Sequence, residues 1–266
     1  MLTLGTLRSV WTHPGNSGRR GRQTALYMWV RTMNHLGRDV VVPAGGHSLL
    51  MARHDASSAA GVARSPVADW RDLQAWKQLL KPGDLFLDVG AHLGVYTIWA
   101  IEQGAEVVAF EPHPLTAVML RQNLELNGYH AEVHEVALAH EPGRMRLAGA
   151  DLARQALSAY GEIDIEVRTL DEFATSAAGV KIDVEGAERL VLEGATALLD
   201  RGRPVLQLEW NKRSVDTLGE DRAPVAALLA GKGYRFCRPD SAGRLLPVDD
   251  LGFGADLWAV PTERPR

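Results

Sequence analysis

The run Phe86-Leu87-Asp88-Val89-Gly90-Ala91-His92-Leu93-Gly94 sets one carboxylate and two glycines at the point where a buried strand turns into a helix. Gly90 permits a tight turn, and its missing side chain lets a ligand approach the backbone. The helix beyond Gly94 offers free N–H groups to a polar or anionic ligand. Spacing alone would admit a dinucleotide, but the second glycine of G-x-G-x-x-G is replaced here. Asp88 raises a further objection, because a carboxylate opposes a pyrophosphate. Against the sulfonium and amino group of S-adenosylmethionine the same carboxylate is favourable. The charge pattern therefore favours S-adenosylmethionine.

Three more carboxylate positions fall where strands end. Glu111 closes Val107-Val108-Ala109-Phe110-Glu111-Pro112, 23 positions after Asp88. That is close to the roughly 20 expected of a ribose-binding carboxylate; the plainer reading is an exposed strand-end charge. Glu135-Val136-Ala137-Leu138 ends the next strand, where Glu135 or the backbone could meet an adenine, or simply terminate the strand. Lys181-Ile182-Asp183-Val184-Glu185-Gly186-Ala187-Glu188 puts carboxylates around a strand end and a helix start. Alternation along a strand sets Asp183 and Glu185 on one side, at the carboxyl rim where open α/β sheets bind ligands. Capping of the helix dipole accounts for Glu188 and is the plain alternative for Glu185. Asp183, Glu209 and Asn211 form a hard-oxygen set that suits Mg²⁺, although a reading without metal is preferred. All nine histidines lie at or before His140, and His92 and His113 read as loop neighbours of the ligand rather than catalysts.

These residues need a scaffold, and the apolar patterning supplies one. Before residue 82, Thr24–Leu36 and Asp69–Leu80 read as helices, Asp39–Val42 as a strand and Gly45–Pro66 as loop. From residue 84 strands and helices alternate. The strands are Asp84–Val89, Glu106–Phe110, Ala131–Leu138, Val180–Val184, Pro204–Trp210, Tyr234–Cys237 and Leu257–Val260. The helices are Val95–Gln103, Leu115–Leu126, Ala187–Leu199 and Val225–Gly231. Such alternation means an α/β fold, a parallel sheet with helices on both faces. Residues 1–81 form an N-terminal cap or substrate-specificity segment, and residues 82–266 the ligand-binding domain. The insert from Glu141 to Ile165, with Pro142-Gly143, Asp151, Arg154, Gln155 and Tyr160, is either a lid or a surface excursion.

Composition excludes several classes. The 266 residues are 46% hydrophobic and 23% charged, ordinary globular usage, with a net charge of −4. A nucleic-acid binder relying on phosphate neutralisation would be more basic. The longest apolar stretch, Leu93–Ile101, falls well short of the ~20 residues of a membrane span, and the N-terminal residues hold no continuous apolar block. A cytoplasmic protein without nucleic-acid or membrane partners, and with homo-oligomerisation open, is the expectation. Cys237, the single cysteine, excludes an intramolecular disulfide and reads as a small buried apolar residue.

The sequence FLDVGAHLGVYT, then AFEPHP, RTLDEF, KIDVEGAE with VLEGA, and PVLQLEW, resembles the FkbM-type methyltransferases. The resemblance spans roughly residues 84–211 with the motifs in the family's order. It implies a class I methyltransferase (Rossmann-like) sheet of seven strands, the last antiparallel, and S-adenosylmethionine as methyl donor. It also implies that Asp88, Gly90, Ala91, His92 and Gly94 line the methionine end. Glu111 and Pro112 would border the ribose, Glu135 and Ala137 the adenine, and Asp183 and Glu185 the sulfonium and acceptor. The reaction expected is O-methylation of a hydroxyl on a sugar, natural product or peptide-derived small molecule, with Asp183 as base or orienting carboxylate. N-methylation, a nicotinamide-dependent oxidoreductase on the same sheet and a non-catalytic cofactor-binding partner are the alternatives.

Overall fold

The computed structural model describes residues 4–45, 47–52, 69–148, 156–158, 163–210 and 222–263. Its centre is a sheet in the order β13-β12-β14-β11-β10-β3-β4-β5. In chain order these strands are β3 (Leu85–Val89), β4 (Glu106–Phe110), β5 (Glu132–His134), β10 (Gly179–Ile182), β11 (Val205–Leu208), β12 (Tyr234–Pro239), β13 (Leu245–Pro247) and β14 (Leu257–Pro261). Pairing is parallel from β5 to β11, and β14 inserts antiparallel between β11 and β12. This is the class I methyltransferase order. The sheet has one strand more than the expected seven, because β13 folds back on β12 as an edge hairpin. Pro247 on that edge cannot donate to a further strand.

Strands β10 and β11 are buried at every position, as a sheet covered on both faces requires. Leu87, Val89, Val180, Ile182, Leu206 and Leu208 fill one face beside α6 (Glu188–Glu193) and α7 (Ala223–Gly231). On the other face, α3 (Trp70–Leu79) brings Trp76 edge-on to Phe86 at 5.0 Å and against Trp258 at 4.6 Å. Gly179 makes room for that indole, since a Cβ there would lie 2.4 Å from its ring. Helices α4 (Val95–Glu102) and α5 (Pro114–Leu126) complete this face. Onto them pack α1 (Leu4–Thr12), α2 (Arg20–His35) and the hairpin β1 (Val40–Gly45)–β2 (Ser48–Ala52), through Val10, Tyr27, Val30, Val42 and Leu50.

Several expectations are corrected. The stretch read as loop from residue 45 contains β2, whose Leu50 and Ala52 are buried. The third strand is two strands: β5 stays in the main sheet, while β6 (Ala137–Leu138) pairs with β9 (Ile163–Arg168) in a second sheet of order β6-β9-β7-β8. Glu135 is the pivot, turned to solvent and paired with Arg121. The insert contributes β7 (Gly143–Ala148) and β8 (Ala156–Ser158) to this second sheet; Asp151, Arg154, Gln155 and Tyr160 lie outside the described residues. The helix expected over 187–199 breaks after Glu193. There the Asp171 carboxylate accepts from the amides of Ala197 and Leu198 at 2.7 and 2.9 Å and starts a new turn at Leu198–Gly202.

Candidate active site

The turn after β3 is a backbone construction. Gly90, His92 and Gly94 all have left-handed φ, +82°, +52° and +89°. Gly90 is irreplaceable on steric grounds as well, because a Cβ there would lie 1.9 Å from the Asp183 carbonyl oxygen. The turn after β3 and the end of β10 thus touch backbone to backbone. Gly94 is likewise held against Leu120. Glu111, buried at the end of β4, clamps the turn: its two carboxylate oxygens accept from the amides of His92 at 2.9 Å and His113 at 3.0 Å. Burial raises its pKa to about 7 against those two hydrogen bonds. The ring of His113 accepts from the Thr116 amide as N-cap of α5, a positional role, and burial lowers its pKa.

Beneath the turn, paired residues of adjacent strands form a polar row on an otherwise apolar face. Asp88 on β3 stands beside Lys181 on β10, Lys181 beside Gln207 on β11, and Gln207 beside Trp258 on β14. Asp88 is fully buried; Thr97 donates to its Oδ2 at 2.6 Å, and its Oδ1 has no hydrogen-bond partner. Burial raises its pKa, opposed by Lys181 and Thr97. The buried Lys181 ammonium donates to Asp183 Oδ2 at 3.0 Å and lies 4.7 Å from the centroid of the Tyr96 ring. Burial disfavours that charge, but Asp183 and Asp88 outweigh it and lift the pKa above the ordinary lysine value.

The row opens at the rim of the sheet onto further carboxylates. Tyr96 donates to Asp69 at 3.2 Å and accepts from Gln207 Nε2 at 2.9 Å; Gln207 also donates to Asp256 at 2.7 Å and accepts from Trp76 Nε1. Trp258 Nε1 donates to Asp72 at 2.8 Å. Desolvation raises the pKa of Asp69, although its side chain keeps contact with solvent. Burial, reinforced by Asp69, lifts Asp72 to about 6, and burial with the charges of Asp72 and Asp183 lifts Asp256 to about 8.

The Methyltransferase FkbM domain family matches residues 88–236. The 31-O-demethyl-FK506 methyltransferase FkbM of Streptomyces tacrolimicus is 30% identical over a 229-residue alignment covering 70% of this chain and 82% of that one. The chain belongs to the FkbM methyltransferase family. Among solved structures it is similar to Methyltransferase FkbM from Methylobacillus flagellatus KT, at 15% identity and a TM-score of 0.45, covering 90% of this chain. This chain spans 59% of that longer one. It is also similar to the precorrin-6y C5,15-methyltransferase of Geobacter metallireducens GS-15, at 16% identity and a TM-score of 0.44 over 74% of this chain and 89% of that one.

An S-adenosylmethionine-dependent methyltransferase needs anionic and hydrogen-bonding groups around the donor, and the residues present fit that need. Asp88 has an orphaned buried oxygen, and a carboxylate offers about four acceptor sites, of which Glu111 uses two for the turn. Among the described residues no group of three or more His, Cys, Asp or Glu side chains could hold a metal ion, and Asn211 lies outside them. Glu209 follows β11 at the rim, its amide donating to the Ile182 carbonyl at 3.0 Å.

Of the residues singled out from sequence, Asp88, Gly90, Ala91, His92, Gly94, Glu111, Pro112 and Asp183 gather around the ends of β3, β4 and β10. Glu135 does not join them and takes a surface ion pair; Ala137 is buried in the second sheet with Leu147, Ile165 and Val167. Alternation fails for Glu185, since β10 ends at Ile182 and Glu185 sits in a left-handed turn with φ +53°. Glu188 is more than a helix-end charge, being fully buried in an ion pair with Arg222. Cys237 is buried, which raises its thiol pKa. Sequence reasoning passed over Lys181, Tyr96, Gln207, Asp69 and Asp256. Lys181 and Gln207 carried a usable signal, a polar residue inside a strand whose other positions are apolar.

Proposed function

We propose that the protein methylates a hydroxyl group of a small molecule, with Asp183 receiving the proton of the acceptor. The observation that carries this reading is the Asp183 carboxylate itself. It is part-exposed just beyond β10 and 3.0 Å from the buried Lys181 ammonium, on a residue whose backbone carbonyl lies against the glycine turn. Bound S-adenosylmethionine supplies an electrophilic methyl group. The chain's own residues have the remaining tasks. Asp88 and Glu111 bind and orient around the turn, Lys181 holds Asp183 in place, and Asp183 takes the hydroxyl proton as the new carbon–oxygen bond forms and the sulfur–carbon bond breaks. The name of the Streptomyces tacrolimicus relative, 31-O-demethyl-FK506 methyltransferase, supports oxygen as the methylated atom.

A second reading, N-methylation of an amine that docks as its cation and gives a proton to a rim carboxylate before its lone pair attacks the methyl group, draws on the surplus of carboxylates at the rim: Asp69, Asp72, Asp183 and Asp256 against Lys181. Radiolabelled methyl transfer to 31-O-demethyl-FK506 and to panels of hydroxylated and amine acceptors separates the two. Asp183→Asn should bind donor as wild type does while losing about 10²–10⁴ in turnover, the usual size of a general-base contribution. Full turnover in that variant would remove Asp183 from the chemistry.

A further inference from the structure

The first acidic residue of the chain is Asp39, and the segment before it carries six arginines, Arg8, Arg19, Arg20, Arg22, Arg31 and Arg38. With a whole-chain charge of −4, the remainder nets −10 (−4 less the +6 of this segment). So strong a division of charge points to an anionic partner for the N-terminal segment.

The same segment exposes apolar surface. Helix α2 packs inward through Tyr27 and Val30, with Leu26 and Met33 beside them. Its outward residues at helical spacing are Arg22, Ala25, Met28, Trp29, Thr32 and, at the cap, Leu36. Met28, Trp29 and Leu36 are 42%, 44% and 59% exposed, and Trp11 of α1 is 49% exposed. An ordinary surface helix has one apolar stripe, facing the core; α2 has a second one facing away from it.

We propose that the outward face of α1 and α2 docks in the plane of an anionic membrane surface, with Met28, Trp29 and Leu36 in the headgroup–acyl boundary and the arginines against lipid phosphates. Tryptophan and aliphatic residues flanked by arginine are the composition of interfacial helices. A symmetric pairing of two copies through this face would set the same arginines against one another. A nucleic acid would leave the aliphatic residues without a partner. The expectation of no membrane partner rested on the length of apolar runs, which governs spanning; in-plane docking needs no such length.

Co-sedimentation of the full chain with vesicles of phosphatidylcholine, and with equimolar phosphatidylcholine and phosphatidylglycerol, tests the assignment. Pelleting is expected with the anionic vesicles alone and should fade as salt is raised. Met28→Ser/Trp29→Ser should lower the partition coefficient about tenfold or more. Arg22→Glu/Arg38→Glu should lower it about twentyfold or more, from about fivefold per arginine. Both variants alter exposed side chains and should keep the circular dichroism spectrum and thermal midpoint of the wild type. Equal pelleting on both vesicles, pelleting untouched by either variant, or none at all would overturn the proposal. An acidic protein partner, or self-association through this stripe, falls under the last of these outcomes.

Discussion

Around Gly90 the chain works with backbone: three left-handed residues within five positions, and amides bound by the Glu111 carboxylate. Around Asp183 it works with side chains drawn from five separated segments, Asp69 before α3, Tyr96 on α4, Lys181 on β10, Gln207 on β11 and Asp256 before β14. The two regions meet where Gly90 lies against the Asp183 carbonyl and the Asp183 amide donates to the Val89 carbonyl at 3.0 Å. Apart from its Glu111 clamp, a turn made of backbone tolerates changes in side-chain chemistry but not an added Cβ. A rim made of side chains should show the reverse.

The largest effect expected from breaking this contrast is that of Gly90→Ala. The new Cβ would have to displace a main-chain oxygen from a left-handed residue, at about 3 kcal/mol or more. Thermal denaturation should show a large fall in midpoint, with donor binding lost in calorimetry. Lys181→Met comes next. It leaves Asp88 buried without its cation, at about 3 kcal/mol, and frees Asp183 to rotate. Lys181→Arg should recover part of the loss in turnover if charge and reach both matter, whereas a purely packing role would make methionine the better substitute.

A third effect is one of pH. The folded-state pKa values of Asp72, Glu111 and Asp256, about 6, 7 and 8, lie above ordinary carboxylate values. A raised carboxylate contributes stability that is complete below its unfolded pKa and is lost as pH rises through the folded one. Stability should therefore decline between about pH 4 and 8. Asp256→Asn keeps an oxygen for Gln207 and removes one titration. Its thermal midpoint should exceed the wild-type value at pH 8 and converge with it as pH falls toward 4. A difference that widens on acidification would contradict the assignment of cause.

The same contrast explains what could be read from sequence. The glycine turn and Glu111 were legible because a strand, a turn and a helix start lie within one short window, and each residue's role follows from its neighbours. Lys181 and Asp183 lie two apart, so their ion pair was within reach of period-two reasoning. The link from Asp69 through Tyr96 and Gln207 to Asp256 was not, because no local pattern says that four remote segments meet. The single strand expected over Ala131–Leu138 was misjudged for a related reason. The stretch Ala131–Leu138 looks like one strand, yet the chain turns at the solvent-facing Glu135 and divides it between two sheets. RTLDEF is a conformational motif: Thr169 and Glu172 form a capping box, Leu170 is buried, Asp171 caps the turn at Leu198, and Phe173 packs edge-on against Phe110.

The most direct test of the division between turn and rim is calorimetric titration of S-adenosylmethionine into wild type, Glu111→Gln and Asp183→Asn, with methyl-transfer turnover measured on the same preparations. Glu111→Gln should weaken donor binding by about tenfold or more, the size of a charged hydrogen bond. Asp183→Asn should leave donor affinity within about twofold of wild type and abolish most turnover. Equal weakening of donor binding by both substitutions, or full turnover in Asp183→Asn, would contradict it.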